Sequence, residues 1–236
     1  MIALLLHMHQ PDYRDPKDGR PTMPWVRLHA TRGYRDVPLL AKKLGATLTL
    51  NLVPSLLDQW DFYAAGGTDI HQELAQRPAD SLRPHEISWM LESFFHGHPS
   101  SFRWFPAWGR LRARRDAGEH FDRQALQDLQ VWTNLAWFGF TALQDWPELG
   151  ELRRKGVGFS EAEKLRVLQI QSQILRDLKG LYRGGPEISA SPYFHPILPL
   201  LVDNAHAQRC MPGNPDPGFR FPEDARLQLR AARQRV

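Results

Sequence analysis

Three short segments carry the strand signal of this chain. About 130 residues of helical pattern separate the second from the third, far more than a parallel crossover needs. The first segment, Ile2–His9, is an apolar run stopped by Gln10 and Pro11, as expected of a buried parallel strand. The second, Ala46–Val53, alternates Thr with Leu and ends at Pro54. Glu187–Ser191 is the third and weakest, after the Gly184-Gly185 turn. Three strands cannot close a barrel, and an open parallel sheet leaves edges and an apolar face uncovered.

The residues between about 55 and 180 read as a mainly helical insertion. Pro54–Ala65 opens with proline in its first turn and closes at Gly66-Gly67, and Pro84–Phe95 follows with Glu86 near its start. Asp122–Leu143 reads as one long aromatic-rich helix, whose Trp132 and Trp137 belong to the core, as does Trp146 beyond it. Ser160 and Glu163 form a capping box, and the helix after it runs to about Gly180, with Leu165, Leu168, Ile174, Leu175 and Leu178 on one stripe. Pro-rich joints lie at Pro11–Pro24, Pro186–Pro199 and Pro212–Pro222. A last helix starts at Pro222 with Glu223 and Asp224 in its first turn, and Ala225, Leu229, Ala232 and Val236 mark one face.

Composition narrows the class. The chain is 42% hydrophobic and 24% charged, which supports one sizeable core and argues against wholesale disorder. No apolar run nears the roughly 18–20 residues that span a bilayer, and Ile2–Leu6 is too short for a signal-peptide core, so the expected setting is cytoplasmic, without a membrane partner. Cys210 is the lone cysteine, which excludes an internal disulfide. The pI of about 9.4 reflects a net charge of only +4. The arginine clusters at 110–115 and 226–235 have helical spacing and read as solvated helix faces, so no nucleic-acid partner is expected.

The chemistry-bearing residues gather at the ends of the strand segments. On a strand, residues i and i+2 share a face, so His7 and His9 point together at the C-terminal end, where α/β barrels build their sites. Such a pair binds a metal, holds a proton, hydrogen-bonds a polar ligand, or is satisfied by backbone carbonyls. Glu187 opens the third segment and needs a partner if buried, and His195 follows between Phe194 and Pro196. Trp25 follows the loop that leaves the first strand, with His29 one turn on. Its ring suits the apolar face of a sugar, although burial is the commoner fate of a tryptophan. Spacing alone leaves three readings. One is a metal-dependent barrel hydrolase with His7 and His9 as ligands, its shell completed by carboxylates and His195. Another is a carbohydrate-active barrel using the same groups on hydroxyls. The last is a non-catalytic helical interaction module.

Five stretches taken together, "LLLHMHQPDY", "MPWVRLHATRGYRDVP", "LTLNLVPSLLDQ", "DLQVWTNLAWF" and "PEISASPYFHPILPLL", resemble the N-terminal part of glycoside hydrolase family 57, in order, with "FRFPEDARLQL" closing the series. The resemblance implies an α/β fold: the N-terminal part of an incomplete seven-stranded β/α barrel with a large helical insertion, lacking the later strands, over residues 1–236. It implies action on α-glucans by retaining hydrolysis or transglycosylation, of amylase, amylopullulanase, glucanotransferase or branching type, with some relatives acting on α-galactosides. No cofactor or metal is expected for the chemical step, and the metal reading becomes the runner-up. His9 and Gln10 match the block that contacts the sugar nearest the scissile bond. His7 matches the preceding histidine, Glu187 a substrate-binding or structural acid that is not the nucleophile, and His195 the histidine of an HP pair. The pattern departs at Gly185-Pro186, where proline cannot donate to a ladder. Retaining glycosidases need two carboxyl groups about 5–5.5 Å apart. In the family these come from later blocks, beyond the helix that begins at Pro222. The expectation is therefore a binding half without its catalytic pair, inactive alone. Its partners are an α-glucan or maltooligosaccharide and the missing C-terminal part of the barrel, and bare apolar surface would favour oligomers.

Overall fold

The computed structural model describes residues 3–213, 215 and 218–236. The first two residues of the chain, including the expected strand start at Ile2, and residues 214, 216 and 217 of the last Pro-rich joint lie outside the described residues. The three strand segments pair as expected. Strands β1 (Leu5–Met8), β2 (Thr49–Leu52) and β3 (Glu187–Ala190) form one parallel sheet in that order. His7 pairs with Asn51 and Asn51 with Ser189; one row earlier, Leu5 pairs with Thr49 and Thr49 with Glu187. β3 begins directly after Pro186, so the missing donor falls outside the ladder.

Alternation gives the sheet two unlike faces. Met8, Leu50 and Leu52 point into a core with Tyr34, Leu56, Trp60, Leu178 and Tyr182. The opposite face carries Leu5, His7, Thr49, Asn51, Glu187 and Ser189, and it lies exposed or half-exposed. The expectation of an uncovered apolar sheet face is thus corrected. Apart from Leu5 the open face is polar, and the bare apolar side chains lie mostly elsewhere, among them Phe194, Ile197, Val202, Phe219, Phe221 and Leu227.

Helices α1 (Trp25–Ala30) and α2 (Gly33–Leu44) join β1 to β2, and α3 (Pro54–Ala64) follows β2 with proline in its first turn. The insertion continues with α4 (Ile70–Gln76), α5 (Pro84–Ser93), α6 (Ser101–Trp104) and α7 (Pro106–Asp116). Then come α8 (Arg123–Leu135), α9 (Phe140–Asp145), α10 (Pro147–Lys155) and α11 (Glu161–Asp177). These helices enclose a second core around Phe94, Trp108, Leu129, Trp132, Leu135 and Phe159. The seventeen residues of α11 serve both cores, Ile174 facing one and its neighbour Leu175 the other. Beyond β3 lie α12 (Leu198–Val202) and α13 (Pro222–Arg235). Among the described residues, no helix is long and apolar enough to cross a membrane.

Four expectations change in detail. The long aromatic helix is two, α8 and α9, broken before Phe140. Asp36 of α2 reaches the break and accepts the backbone N–H groups of Phe140 (3.1 Å) and Thr141 (3.0 Å), capping the second helix. A Cβ on Gly139 would stand 2.0 Å from the Asp36 carboxylate, so any larger residue here would have to displace the group that caps this helix. Trp132 is fully buried, whereas Trp137 and Trp146 pack against the same core while staying partly exposed. The capping box of α11 is formed: Ser160 Oγ accepts from Glu163 N at 3.2 Å and Glu163 Oε2 from Ser160 N at 2.6 Å. Its buried stripe is set differently, however. Leu165 faces solvent and Lys164 is buried instead, its ammonium donating to the Arg77 carbonyl (2.6 Å) and to Gln130 Oε1 (3.2 Å). On α13 the docked face is Ala225, Gln228, Ala232 and Arg235, which turns Leu229 and Val236 outward.

A buried ion pair ties the two cores together. Arg27 of α1 is 1% exposed and Asp69, the N-cap of α4, is fully buried. The guanidinium grips the carboxylate with Nε (2.8 Å) and Nη2 (3.1 Å), while Nη1 donates to Asn134 of α8 (2.7 Å) and Gln171 of α11 (2.6 Å). Tyr63 of α3 (2.9 Å) and the Gln72 amide (2.8 Å) also donate to Asp69. Burial alone would raise the Asp69 pKa, but the charge and hydrogen bonds of Arg27 outweigh it and hold the carboxyl below its ordinary value. Removing one partner of such a pair leaves a buried charge uncompensated. Arg27→Ala is therefore expected to lower stability in urea denaturation by about 3–5 kcal/mol, and Arg27→Lys to recover little of it, lacking the planar fork.

His71, next to this network, gives the fold an acid-sensitive point. It is buried among Trp89, Phe94 and His96, and neither ring nitrogen has a hydrogen-bond partner. Burial pushes its pKa down to about 4, overriding the attraction of Asp69. The folded state thus prefers the neutral ring, and the unfolded chain takes up this proton first. The stability this preference provides is present above the free-imidazole pKa, about 6.5. It declines as pH falls from there and is lost by about pH 4. The expected loss over that window is about 3 kcal/mol. Denaturation curves across the range should show it, and His71→Leu should flatten that part of the profile.

Candidate functional site

The open face of the sheet ends in three imidazoles. His7 and His9 share it by alternation, and His195 comes over from the loop after β3. The ring centroids lie 4.7 Å apart for His7 and His195, 4.6 Å for His9 and His195, and 5.7 Å for His7 and His9. Asn51 orients His7, its Oδ1 standing 2.7 Å from His7 Nδ1. The same oxygen accepts from Ser191 Oγ (2.7 Å), and Asn51 Nδ2 donates to Ser189 Oγ (3.0 Å). A carboxamide oxygen only accepts, so the neutral His7 ring carries its proton on Nδ1 and turns a bare Nε2 outward. Burial, then the neighbouring His195 and His7, hold the His9 pKa below the ordinary imidazole value.

Two loops deliver these groups, and both hang on α3. Gln59 Nε2 donates to the Pro11 carbonyl (3.0 Å) and its Oε1 accepts from Tyr13 N (3.1 Å), fixing the turn that follows Gln10. Tyr13 OH then donates to Gln10 Oε1 at 2.9 Å. On the other side, Ser55 N donates to the Tyr193 carbonyl (3.1 Å), and the Tyr193 hydroxyl hydrogen-bonds the Asp58 carboxylate. Arg235 of α13 meets Asp58 at 2.6 Å, with Arg14 at 3.7 Å. Burial would raise the Asp58 pKa, but Tyr193 and the two guanidinium groups pull it below the usual carboxylate value. His195 itself adopts φ +57°, alone among the described non-glycine residues in the left-handed region, and its N–H closes onto the Pro192 carbonyl at 2.9 Å.

Beside this cluster runs a row of aromatic rings. The Tyr34 hydroxyl, kept protonated by burial, donates to the His9 carbonyl at 3.1 Å. Tyr34 lies 6.0 Å from His29, His29 5.1 Å from Trp137, and Trp137 5.7 Å from Trp25, which also neighbours His96 at 5.5 Å and His29 at 6.5 Å. His29, Trp137, Trp25 and His96 are all half-buried, with ring surface still open. Trp25 is therefore not sealed in the core.

Of the residues singled out from sequence, His7, His9 and His195 converge, with Gln10 at the same end and Trp25 in the aromatic row. Glu187 is not brought to them. It sits one row below the His7–Asn51–Ser189 row, where Thr49 donates to Oε2 at 2.5 Å, and it lines a separate cavity of about 390 Å³ at the N-terminal end of the strands with Lys42 and Arg183. Sequence reasoning missed Asn51, Ser189 and Ser191, as well as Tyr34 and Trp137. Alternation in "LTLNLV" did carry a signal, since it places Asn51, a residue depleted in strands, on the face opposite the leucines.

The family model for glycosyl hydrolase family 57 matches residues 3–235. The chain belongs to this family. No curated protein and no solved structure matches it significantly. Membership in family 57 points to glycoside hydrolysis or transglycosylation, and so to a carbohydrate substrate. In this family-57 chain Asp58 acts on the histidine end of the sheet indirectly, by holding Tyr193 and α13. Asp58→Ala removes the contacts to Tyr193 and Arg235 and is expected to speed proteolytic cleavage within 192–236 by about tenfold or more, while leaving the helical core resistant. An unchanged digestion pattern would mean that the loop is held by other contacts.

Proposed function

We propose that the C-terminal end of the sheet binds a glucose unit of an α-glucan or maltooligosaccharide, with His9 and Gln10 as hydrogen-bonding groups and Trp25 as a stacking surface. The observation that carries this reading is the convergence of polar groups and open aromatic rings at one end of parallel strands in a family-57 chain. Imidazole and carboxamide groups offer the mixed donors and acceptors that vicinal hydroxyls need, and half-exposed tryptophan suits the apolar face of a pyranose. His7 and His195 flank His9 and limit its rotation. Glu187 is a structural acid in this reading, tying β3 to β2 through Thr49. The three parallel strands form part of the wall of a β/α barrel.

Binding without turnover follows for this chain taken alone. Retaining glycosidases use two carboxyl groups about 5–5.5 Å apart across the scissile bond. Glu187 is the one acid on the described sheet face, and it is committed to Thr49. Titration calorimetry with a maltooligosaccharide should give saturable binding, weakened about tenfold or more by His9→Ala and by a similar factor in Trp25→Ala. The pure chain should release no reducing sugar from amylose. Binding unchanged in both variants, or sustained turnover, would overturn the proposal.

A further inference from the structure

We propose that His7, His9 and His195 form a three-imidazole site for a divalent transition-metal ion of the zinc or cobalt type, its remaining positions open to water. The inference goes beyond the sugar reading and does not depend on it.

The geometry is that of a site needing little rearrangement. One ring nitrogen from each histidine can be chosen so that all three lie within 4.8 Å of one another. A tetrahedral ion with bonds of about 2.0–2.1 Å needs nitrogens about 3.3 Å apart. His195 is exposed and has no hydrogen-bonded ring nitrogen to give up, so turning its ring can narrow that gap while His7 stays on Asn51. The ligands are of a single type, imidazole, which suits zinc, cobalt, nickel and copper rather than calcium or magnesium.

A second observation concerns what stands behind the ligands. Metal-binding histidines commonly donate their far N–H to an acceptor that fixes tautomer and ring direction. His7 has this arrangement, with Nδ1–H on Asn51 Oδ1 at 2.7 Å and Nε2 bare. Asn51 is itself fixed by Ser189 and Ser191. The competing account is a cluster of neutral rings held together by packing, His9 and His195 being stacked at 28°. That account gives the Asn51 contact no consequence for a metal, so the two separate cleanly.

The test uses the full 236-residue chain after treatment with a chelator. Co²⁺ titration at a pH above the imidazole range should produce a saturable visible spectrum at one ion per chain, displaced by Zn²⁺. Adding Zn²⁺ to the wild-type protein should shift the ring-nitrogen NMR signals of His7, His9 and His195. His195→Asn keeps a residue that tolerates the left-handed backbone and should weaken Co²⁺ binding at least about tenfold; Asn51→Ala should weaken it about 10–100-fold. His85→Ala, at an exposed histidine on α5, should change nothing. Near-ultraviolet circular dichroism checks the fold of each variant, and the wild-type NMR result stands whether or not the variants fold. Absence of a one-to-one signal, ring shifts at other histidines, or wild-type affinity in His195→Asn and Asn51→Ala would overturn the site. Maltooligosaccharide binding by the metal-free protein is measured separately, so either proposal can fail while the other survives.

Discussion

The grip of Arg27 on Asp69 is the interaction on which the rest of the molecule depends. It sits where α1, α3, α4, α8 and α11 meet, between one apolar core that backs the sheet and another that fills the helical insertion. Apolar contacts alone would let these two bodies slide, because dispersion and desolvation are non-directional. A guanidinium whose donors are met by a carboxylate and two carboxamides admits one arrangement. Its energetic contribution relative to an apolar substitute is small once desolvation is counted, so the gain lies in registry. That registry reaches the aromatic row directly, since Arg27 stands two residues from Trp25 and two from His29.

The division of the sheet into unlike faces gives its open surface a polar character. The inward leucines and Met8 meet Trp60 and Tyr182, while the outward rows are filled by a short polar ladder of His7, Asn51 and Ser189 above Thr49 and Glu187. Each polar side chain there has a partner across the strands. The face is thus ordered before any ligand arrives, and binding groups at its end need little further ordering.

Much of this was legible in the chain itself. Strand segments stood out because proline ends each of the first two, and the alternation of His7 and His9 follows from strand geometry alone. What escaped were choices made by tertiary contact. Lys164 displaced Leu165 from the buried stripe because its ammonium finds the Arg77 carbonyl and the Gln130 carboxamide inside the insertion. Gly139 broke an otherwise continuous helical pattern because Asp36, about a hundred residues earlier in the chain, occupies the space of its side chain. Glu187 looked like a site residue from its neighbours in sequence, yet the strand has only four residues, and two positions carry it from the His7 row to the far row. His195 could be placed beside His9 only once the loop from β3 was seen to turn back through a left-handed residue.

The attachment of both site loops to α3 has one more consequence. Ser55, Asp58 and Gln59 lie within about a turn and a half of one another, and they hold the Tyr193 and the Pro11–Tyr13 segments respectively. A small rotation or axial slip of this one helix would therefore carry both segments at once. The site behaves as a single mechanical part, and it is lost or recovered as a whole. Substitutions on the buried side of α3, far from any ligand, should then act on the fraction of molecules that are competent to bind. Their signature is a changed apparent affinity with an unchanged pattern of ligand preference.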